Sequence, residues 1–356
     1  MKAVVLRQTD DLAVLDVPVP EIGPGQALVR MTHCGICGSD IRYLHGDNPW
    51  AKQTLGEKYE NPVNIILGHE VSGVVERVGD GCDAALVGRR VALLAFGTCG
   101  ECFFCKRGEE HLCPNTQHLG HGAGWGESEY YYGGMAEYVP VPADWLVPLP
   151  DGVTNEAAAV LDPLGVAVHA VKKSAIIEGD AVMIIGGGAV GALAVQVAKA
   201  RGAGEVVVVD INDAVLKVAA QMGADRTVNP NKESTAVLAE EIGGVGPRAI
   251  IDTIGARLDT YLPLLSRGGR YVMLTVTENA QDFRTILLAG ERSIVSSCNF
   301  RFEDYWEALS LLETGQIIPG PIITHTYALA DALDGFRVAE DKEHTGAVKV
   351  VMSNLD

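Results

Sequence analysis

The sequence is poor in positive charge. Its 28 Lys and Arg residues face 46 Asp and Glu residues, which gives a formal net charge of -18 over 356 residues. Such a field repels phosphate backbones and anionic lipids, so we expect no nucleic-acid partner and no membrane partner. The N-terminus has only a four-residue apolar run before Arg7, which is too short for a signal peptide. We therefore expect a cytoplasmic protein.

Long hydrophobic runs are scarce as well. The uncharged stretch AVMIIGGGAVGALAVQVA, at 181–198, has the length of a membrane span, but three consecutive glycines interrupt it. A strand, a turn and a helix of a soluble domain explain those glycines better. Repeats, low-complexity segments and Pro/Gly-rich linkers are absent too, and the length suffices for two domains, each with its own core.

The pattern of apolar residues changes near residue 155. Before it, short valine-rich runs separated by Gly, Pro and Asp turns predict a β-rich region. After it, six apolar strands alternate with helical stretches, among them helices at 189–200, from Glu233 onward and near 283–290. Continuously apolar strands with helical crossovers are typical of a doubly wound parallel sheet, so we predict an α/β fold.

A glycine-rich turn in this second region predicts a dinucleotide site. Gly186, Gly188 and Gly191 have GxGxxG spacing between an apolar strand and a long apolar helix, whose N-terminus can hold a pyrophosphate. Asp210 ends the next strand, 24 positions after Gly186. Its carboxylate can bind ribose hydroxyls and repel a 2′-phosphate, which favours NAD over NADP. The predicted cofactor-binding set is completed by Ala189, Val190, Ile254, Gly255 and Thr275.

Eight cysteines in a reducing compartment favour metal binding over disulfides. Cys99, Cys102, Cys105 and Cys113 follow the spacing C-x2-C-x2-C-x7-C, and four thiolates can close a tetrahedral shell around zinc. An iron–sulfur cluster is the alternative, because ferredoxin-type runs begin with the same spacing. We favour structural zinc, since the fourth cysteine is set apart from the others.

The ordered motifs GICGSD, GHEVSGVV, CGECFFCKRGEEHLC and GGGAVG together resemble the medium-chain, zinc-dependent alcohol dehydrogenase family, over the whole chain. Within that family the chain looks most similar to the polyol (sorbitol), butanediol and threonine dehydrogenases. The resemblance implies a β-rich, GroES-like catalytic domain at 1–160 and 299–356, with a structural zinc lobe at about 96–115. It also implies a Rossmann dinucleotide-binding domain at 161–298.

The resemblance further implies a catalytic zinc. Cys37 and His69 would be its ligands, Glu70 would lie in or near its shell, and Asp162 would occupy the third ligand position. Polyol dehydrogenases usually have glutamate at that position, many alcohol dehydrogenases have cysteine, and threonine dehydrogenases show a similar DP element. An aspartate is one methylene shorter than glutamate, so both direct ligation and a water-mediated contact stay open for Asp162.

By the same resemblance, Ser39 is the residue that takes the hydroxyl proton toward solvent, and Asp40 orients a metal ligand. The family's relay histidine is replaced by Arg42. His45 is the candidate substitute, and the alternative is a proton path through water and ribose hydroxyls. Arg301 matches a substrate-contacting arginine of polyol dehydrogenases, although a structural ion pair explains it nearly as well.

These residues lead us to expect an enzyme that transfers hydride from a secondary hydroxyl of a polyol, sugar or vicinal diol to NAD. The first alternative is an L-threonine 3-dehydrogenase. The second is a non-catalytic, crystallin-like nucleotide-binding protein, which the joint presence of Cys37, His69, Glu70 and Ser39 disfavours. The resemblance also implies a homotetramer.

Overall fold

The computed structural model describes residues 1–235, 238–275, 278 and 280–355, and the chain divides into two compact units. The first unit comprises Met1–Asp162 and Ile323–Asp356, and the second comprises Pro163–Ile322. Ala236, Val237, Val276, Thr277, Asn279 and Asp356 lie outside the described residues, so part of the helix predicted from Glu233 does too.

Ten strands and two helices precede the first unit's break at residue 162. They are β1 (Lys2–Gln8), β2 (Asp11–Asp16), β3 (Gln26–Ile36), α1 (Gly38–Leu44), β4 (Ile65–Ile66), β5 (Glu70–Val78), β6 (Arg90–Leu93), β7 (Phe96–Gly97), β8 (Gln117–His118), β9 (Tyr138–Pro142), β10 (Leu146–Pro148) and α2 (Asn155–Ala158).

The second unit alternates helices and strands. They are α3 (Leu161–Ser174), β11 (Ala181–Ile185), α4 (Ala189–Ala200), β12 (Glu205–Val209), α5 (Asp213–Gln221), β13 (Arg226–Val228), α6 (Leu238–Glu241), β14 (Ala249–Asp252), α7 (Leu258–Tyr261), β15 (Arg270–Met273), β16 (Ser293–Ser296) and α8 (Phe302–Glu313). Its strands form one parallel sheet in the order β13-β12-β11-β14-β15-β16. This is the order of a dinucleotide-binding sheet.

The chain then returns to the first unit through β17 (Ile323–Ala328), α9 (Ala332–Glu340), α10 (Lys342–Thr345) and β18 (Lys349–Ser353). There, the main sheet has the order β10-β6-β5-β3-β18-β17, and β9 pairs with β3. A second sheet has the order β2-β1-β4, and β7 pairs with β8. The described residues therefore confirm the α/β fold class with a β-rich unit and a parallel Rossmann sheet.

Short helical turns complete the described structure. One is a π-helical turn at Ala51–Leu55, and the 3-10 turns are Ala84–Leu86, Cys105–Arg107, Glu110–Leu112, Ala143–Trp145, Leu262–Leu264, Thr285–Leu288, Gly320–Ile322 and Leu329–Asp331. The helix predicted near 283–290 is thus only the turn Thr285–Leu288. The Arg292 guanidinium donates to the carbonyls of Leu287 and Ala289, and Gly290 then takes φ +80°, so the helix does not continue.

The strands of the second unit are apolar on both faces because helices cover the sheet. All five residues of β11 are buried, and the side chains of Met183, Ile185, Val207 and Ile250 share one core cluster. Burial of such side chains contributes about 1.5–3 kcal/mol each.

Residues 299–322 lie in the second unit, so the chain returns to the first unit at Ile323 and not at the expected residue 299. Asp304 of α8 explains the difference, since it accepts from His169 at 2.7 Å and from Lys172 at 2.6 Å, both on α3.

Candidate metal and dinucleotide sites

Four thiols meet in the lobe that follows β7. The sulfur atoms of Cys99, Cys102, Cys105 and Cys113 all lie within 4.8 Å of one another. The lobe closes through two 3-10 turns, with Gly108 in the left-handed region at φ +68° between them. Backbone N–H groups of Glu101 and Cys102 lower the pKa of Cys99 to about 6, which favours its thiolate. A set of four sulfur atoms with no further donor suits a closed tetrahedral zinc shell.

A second cluster mixes three donor types. The ligand atoms of Cys37, His69 and Glu70 lie within 4.8 Å of one another. Cys37 is the residue that precedes α1, and His69 directly precedes β5. The buried carboxylate of Asp40 joins these segments, because it accepts the N–H of Cys37 at 2.8 Å and the N–H of Gly68 at 3.2 Å. A thiol, an imidazole and a carboxylate at this spacing fit a zinc site with one open position.

Asp40 also acts on the imidazole of His69, since its Oδ1 lies 3.7 Å from Nδ1. Burial opposes protonation of His69, but the charges of Asp40, Cys37 and Asp162 outweigh burial and raise its pKa well above the usual value. On the other side of the ring, the Ser39 hydroxyl lies 3.5 Å from Nε2. The structure thus brings Ser39, Cys37, Asp40, His69 and Glu70 together, as the sequence predicted.

The partner of Glu70 is a residue that the sequence left without an interpretation. Lys349 of β18 donates to both carboxylate oxygens of Glu70 at 2.7 Å and to the carbonyl of Ile36 at 3.0 Å. All of these groups are buried. Gly35 makes room for the carboxylate, because a Cβ there would lie 2.0 Å from Oε2 of Glu70. The signal in the sequence was a lysine inside the apolar strand AVKVVM, since a buried cation requires a partner.

Asp162 is buried at the start of α3, where burial raises its pKa to about 7 while the charge of His69 opposes that rise. Its carboxylate interacts electrostatically with His69 and Glu70, but it is not part of the group within 4.8 Å. The neighbouring thiol of Cys34 is buried in the packing of the unit, because a Cβ on Gly68, which has φ +95°, would lie 2.6 Å from its sulfur.

The structure does not support the relay role predicted for His45. Its Nδ1 lies 2.6 Å from Asp10, and its Nε2 lies 2.6 Å from Glu340. Both carboxylates raise the pKa of this exposed imidazole, so its nitrogens are engaged away from the Cys37 cluster. Arg42 pairs with Asp47 at 2.7 Å and supplies no relay either.

The glycine-rich turn has the geometry that its spacing predicts. Gly186 lies at φ +91°, and a Cβ on Gly191 would lie 1.9 Å from the Gly186 carbonyl, so helix and strand pack closely. Around Gly188, the residue before α4, a Cβ would meet no atom within 4 Å, which leaves room for a ligand. Asp210 accepts the N–H of Gly187 at 2.8 Å and the N–H of Asn212 at 2.9 Å.

The other predicted cofactor residues lie beside this turn or at the ends of neighbouring strands. Ala189 and Val190 begin α4, and Ile254 and Gly255 follow β14. The buried carboxylate of Asp252 shapes that second loop by accepting the N–H groups of Ile254, Gly255 and Ala256 at 2.8–3.0 Å. Thr275 follows β15 and donates to the Thr253 carbonyl at 3.0 Å.

Arg301 directly precedes α8 in the second unit, and its guanidinium lies 3.6 Å from Glu303. This contact is the structural ion pair that the sequence offered as the second explanation. A role toward substrate stays a prediction.

Comparisons with known proteins agree with this architecture. Residues 23–151 match the model of the alcohol dehydrogenase GroES-like domain, and residues 189–314 match the model of the zinc-binding dehydrogenases. The L-threonine 3-dehydrogenase of Anaeromyxobacter dehalogenans is 31% identical over 345 residues, which cover 95% of each chain.

No helix among the described residues is long and apolar enough to cross a membrane.

Solved structures are similar over nearly the whole chain. The 2R,3R-butanediol dehydrogenase of Bacillus subtilis is 26% identical with a TM-score of 0.85, and the match covers 99% of each chain. A short chain alcohol dehydrogenase of E. coli CFT073, in complex with NADH, is 27% identical. A zinc-binding dehydrogenase of Sinorhizobium meliloti 1021, bound to NADP, is 29% identical. For both, the TM-score is 0.87 and the match covers 99% of each chain. The chain therefore belongs to the zinc-binding, medium-chain family of alcohol dehydrogenases.

Proposed function

We propose that the protein oxidises a secondary hydroxyl of a polyol, sugar or vicinal diol, with NAD as the hydride acceptor. The observation that carries the proposal is the Cys37, His69 and Glu70 cluster, whose donor atoms lie within 4.8 Å, with the Ser39 hydroxyl 3.5 Å from His69. When bound, zinc acidifies an alcohol, and NAD takes up a hydride.

The residues of the cluster have separate roles in this proposal. Cys37, His69 and Glu70 would hold the metal, and Asp40 holds the segments of Cys37 and His69 together through its bonds to the N–H groups of Cys37 and Gly68. Ser39 accepts the hydroxyl proton of the substrate and passes it toward solvent. Glu70 remains bound to Lys349, which limits the negative charge at the cluster.

A panel of substrates tests the proposal. The purified, zinc-loaded enzyme is assayed with NAD against 2,3-butanediol stereoisomers, sorbitol, a hexose, 2-butanol and L-threonine, and NADH formation is followed. We expect the highest kcat/KM with a diol or polyol. The relatives named L-threonine 3-dehydrogenase support a second candidate, the oxidation of L-threonine. Turnover of L-threonine with no turnover of any diol, polyol or sugar would replace our first candidate by the second.

The preference for NAD is proposed to depend on the charge of Asp210. Asp210→Asn keeps an acceptor for the N–H of Gly187 but removes the repulsion of a 2′-phosphate. We expect the ratio of kcat/KM for NAD to that for NADP to fall about 30-fold, or about 2 kcal/mol. Asp213→Asn, an exposed acid on the next helix, is the matched control. A wild-type enzyme that already prefers NADP would contradict our interpretation of Asp210.

A further inference from the structure

Two histidines that the proposed reaction does not use stack together in the first unit. The ring centroids of His118 and His121 lie 4.3 Å apart, and Tyr43 of α1 stacks on His121 at 4.8 Å with an interplanar angle of 12°. Trp50 lies 5.6 Å from the first imidazole and 6.0 Å from the second. His118 and His121 are only 7% and 4% exposed.

This group contains polar atoms that no described protein atom satisfies. His118 Nε2, His121 Nδ1 and Trp50 Nε1 are buried without a hydrogen-bond partner, and so is the Thr116 hydroxyl, whose residue is 3% exposed. Each unsatisfied buried polar group costs about 1–3 kcal/mol. Native proteins rarely leave several such atoms together, so their concentration at one place indicates a site that a polar ligand completes.

The group lies beside the Cys37 cluster. Gly120, between the two histidines, packs on the residue before His69, because a Cβ on Gly120 would lie 2.6 Å from the Gly68 carbonyl oxygen. The Leu119 N–H holds the same segment against the Ala95 carbonyl at 2.8 Å. The segment that carries both histidines therefore packs against Gly68, the residue before His69.

A cavity borders part of this group. Trp50 and Thr116 line it together with Thr98, Asn115 and Gln117, and its volume is about 510 Å³. This volume lies within the usual range for small-molecule pockets, about 300–1,000 Å³. Trp50 thus both borders the cavity and contacts the two imidazoles.

We propose that His118, His121, Trp50 and Thr116 form a subsite that binds the hydroxyl groups of the substrate other than the one that is oxidised. The inference rests on the proposed function and narrows its substrate class to uncharged, polyhydroxylated alcohols. Burial lowers the pKa of both histidines well below its usual value, so both rings are neutral near pH 7. A neutral imidazole offers one donor and one acceptor, as does a hydroxyl group. Neither ring supplies the charge that would pair with the carboxylate of an amino acid.

The test separates polar recognition from packing. His121→Phe and His118→Phe keep an aromatic ring against Tyr43 and Phe96 but remove the ring nitrogens. For each variant we measure kcat/KM with 2,3-butanediol and with 2-butanol, which has the same reacting carbinol but lacks the second hydroxyl. We expect the diol value to fall about 10-fold, through KM, while the 2-butanol value changes less than about twofold. Thr116→Val should shift the ratio in the same direction by a smaller factor.

Two controls keep the result interpretable. His344→Phe changes an exposed histidine paired with Asp341 and should leave the ratio unchanged. Calorimetric titration of sorbitol into the NADH complex of wild type and His121→Phe measures recognition without turnover, and the variant should bind at least about fivefold more weakly. Equal losses with both alcohols, or unchanged sorbitol affinity, would overturn the subsite. Wild type that binds sorbitol through His121 but oxidises no polyol would contradict the proposed function and keep the subsite.

Discussion

The two clusters of metal-binding residue types differ in how the chain builds them. The four-cysteine cluster comes from one segment, 99–113, and its only donors are thiols. The Cys37 cluster draws on α1, β5 and β18, and it sets Cys37, His69 and Glu70 beside Asp40 and Lys349. The four-cysteine cluster therefore closes a single loop of the chain. The other is a buried network of charges that depends on the whole fold of its unit.

The difference separates two uses of the same metal. Four thiolates complete a tetrahedral shell and leave no position for a substrate, whereas three mixed donors leave one. The partner residues also differ, since Asp40 and Lys349 hold side chains of the Cys37 cluster in place by charge. Changes in the first cluster should therefore act on stability, and changes in the second should act on catalysis and on buried electrostatics.

The largest effect should follow from Cys37→Ser. Loss of this thiolate removes the metal that activates the substrate, so we expect kcat/KM to fall about 1000-fold or more, equivalent to about 4 kcal/mol. Elemental analysis should find one zinc fewer per chain, while the melting temperature stays close to that of wild type. Cys82→Ser, which removes a thiol that donates to the Gln26 carbonyl, is the control. Loss of both metals from the Cys37 variant would erase the distinction between the clusters.

Cys102→Ser should lower the stability of the protein and leave catalysis nearly unchanged, the opposite of Cys37→Ser. A closed shell with a missing ligand binds zinc weakly, and loss of a structural metal belongs to the small class of changes that cost about 4 kcal/mol or more. We expect a lower unfolding free energy in urea, and near-normal kcat per folded molecule at low temperature. Iron in place of zinc in the wild-type protein would instead favour the iron–sulfur alternative.

Lys349→Met tests the buried ion pair of the Cys37 cluster. The variant leaves the carboxylate of Glu70 buried without its cation, which should lower the unfolding free energy by about 3–5 kcal/mol. The double variant Lys349→Met/Glu70→Gln should recover most of that loss, because no uncompensated charge remains. Lys2→Met breaks the exposed pair with Asp16 and should cost less than about 1 kcal/mol. Equal losses in the single and double variants would show that Lys349 acts through packing alone.

The comparison also explains what the sequence could predict. The glycine-rich turn and the four cysteines are local patterns, and the structure has them at the predicted positions. The parallel arrangement of the strands follows from the alternation of strands and helices. The Lys349–Glu70 pair joins positions 279 residues apart, so no short-range pattern in the sequence predicts it. The same holds for the contact of Asp304 with His169, which assigns residues 299–322 to the second unit.

The relay role of His45 stays a prediction that the structure does not support, for a related physical reason. Proximity in sequence to Cys37 suggested a relay, but the direction of a side chain depends on its tertiary contacts. Asp10 and Glu340, distant in sequence, bind both nitrogens of its ring. His118 and His121 show the converse, because only folding reveals that two unremarkable histidines stack against Trp50 and Tyr43.

The smallest effect concerns Asp162, the acid beside the Cys37 cluster. Its carboxyl is buried but not within the 4.8 Å group, so we expect it to support the metal ligands rather than to bind zinc directly. Asp162→Asn should then keep the full zinc content and raise the KM of a diol about 10-fold, as changes in residues that support metal ligands do. Elemental analysis and steady-state kinetics measure the two quantities. Asp144→Asn, an exposed acid of the same unit, is the control.

A melting experiment on the metal-free protein tests the raised pKa of Asp162 independently of zinc binding. Burial raises the pKa of Asp162 to about 7, whereas an unfolded aspartate titrates near its usual value of about 3.9. Between those values the native state binds the proton and the unfolded state does not, so stability should fall as pH rises from about 4 to 7. The upper limit of this loss is about 4 kcal/mol, and Asp162→Asn should flatten the profile. If Asp162→Asn also strips the zinc of the Cys37 cluster while the four-cysteine zinc remains, Asp162 binds that zinc directly. The mixed cluster would then depend on four segments of the chain instead of three.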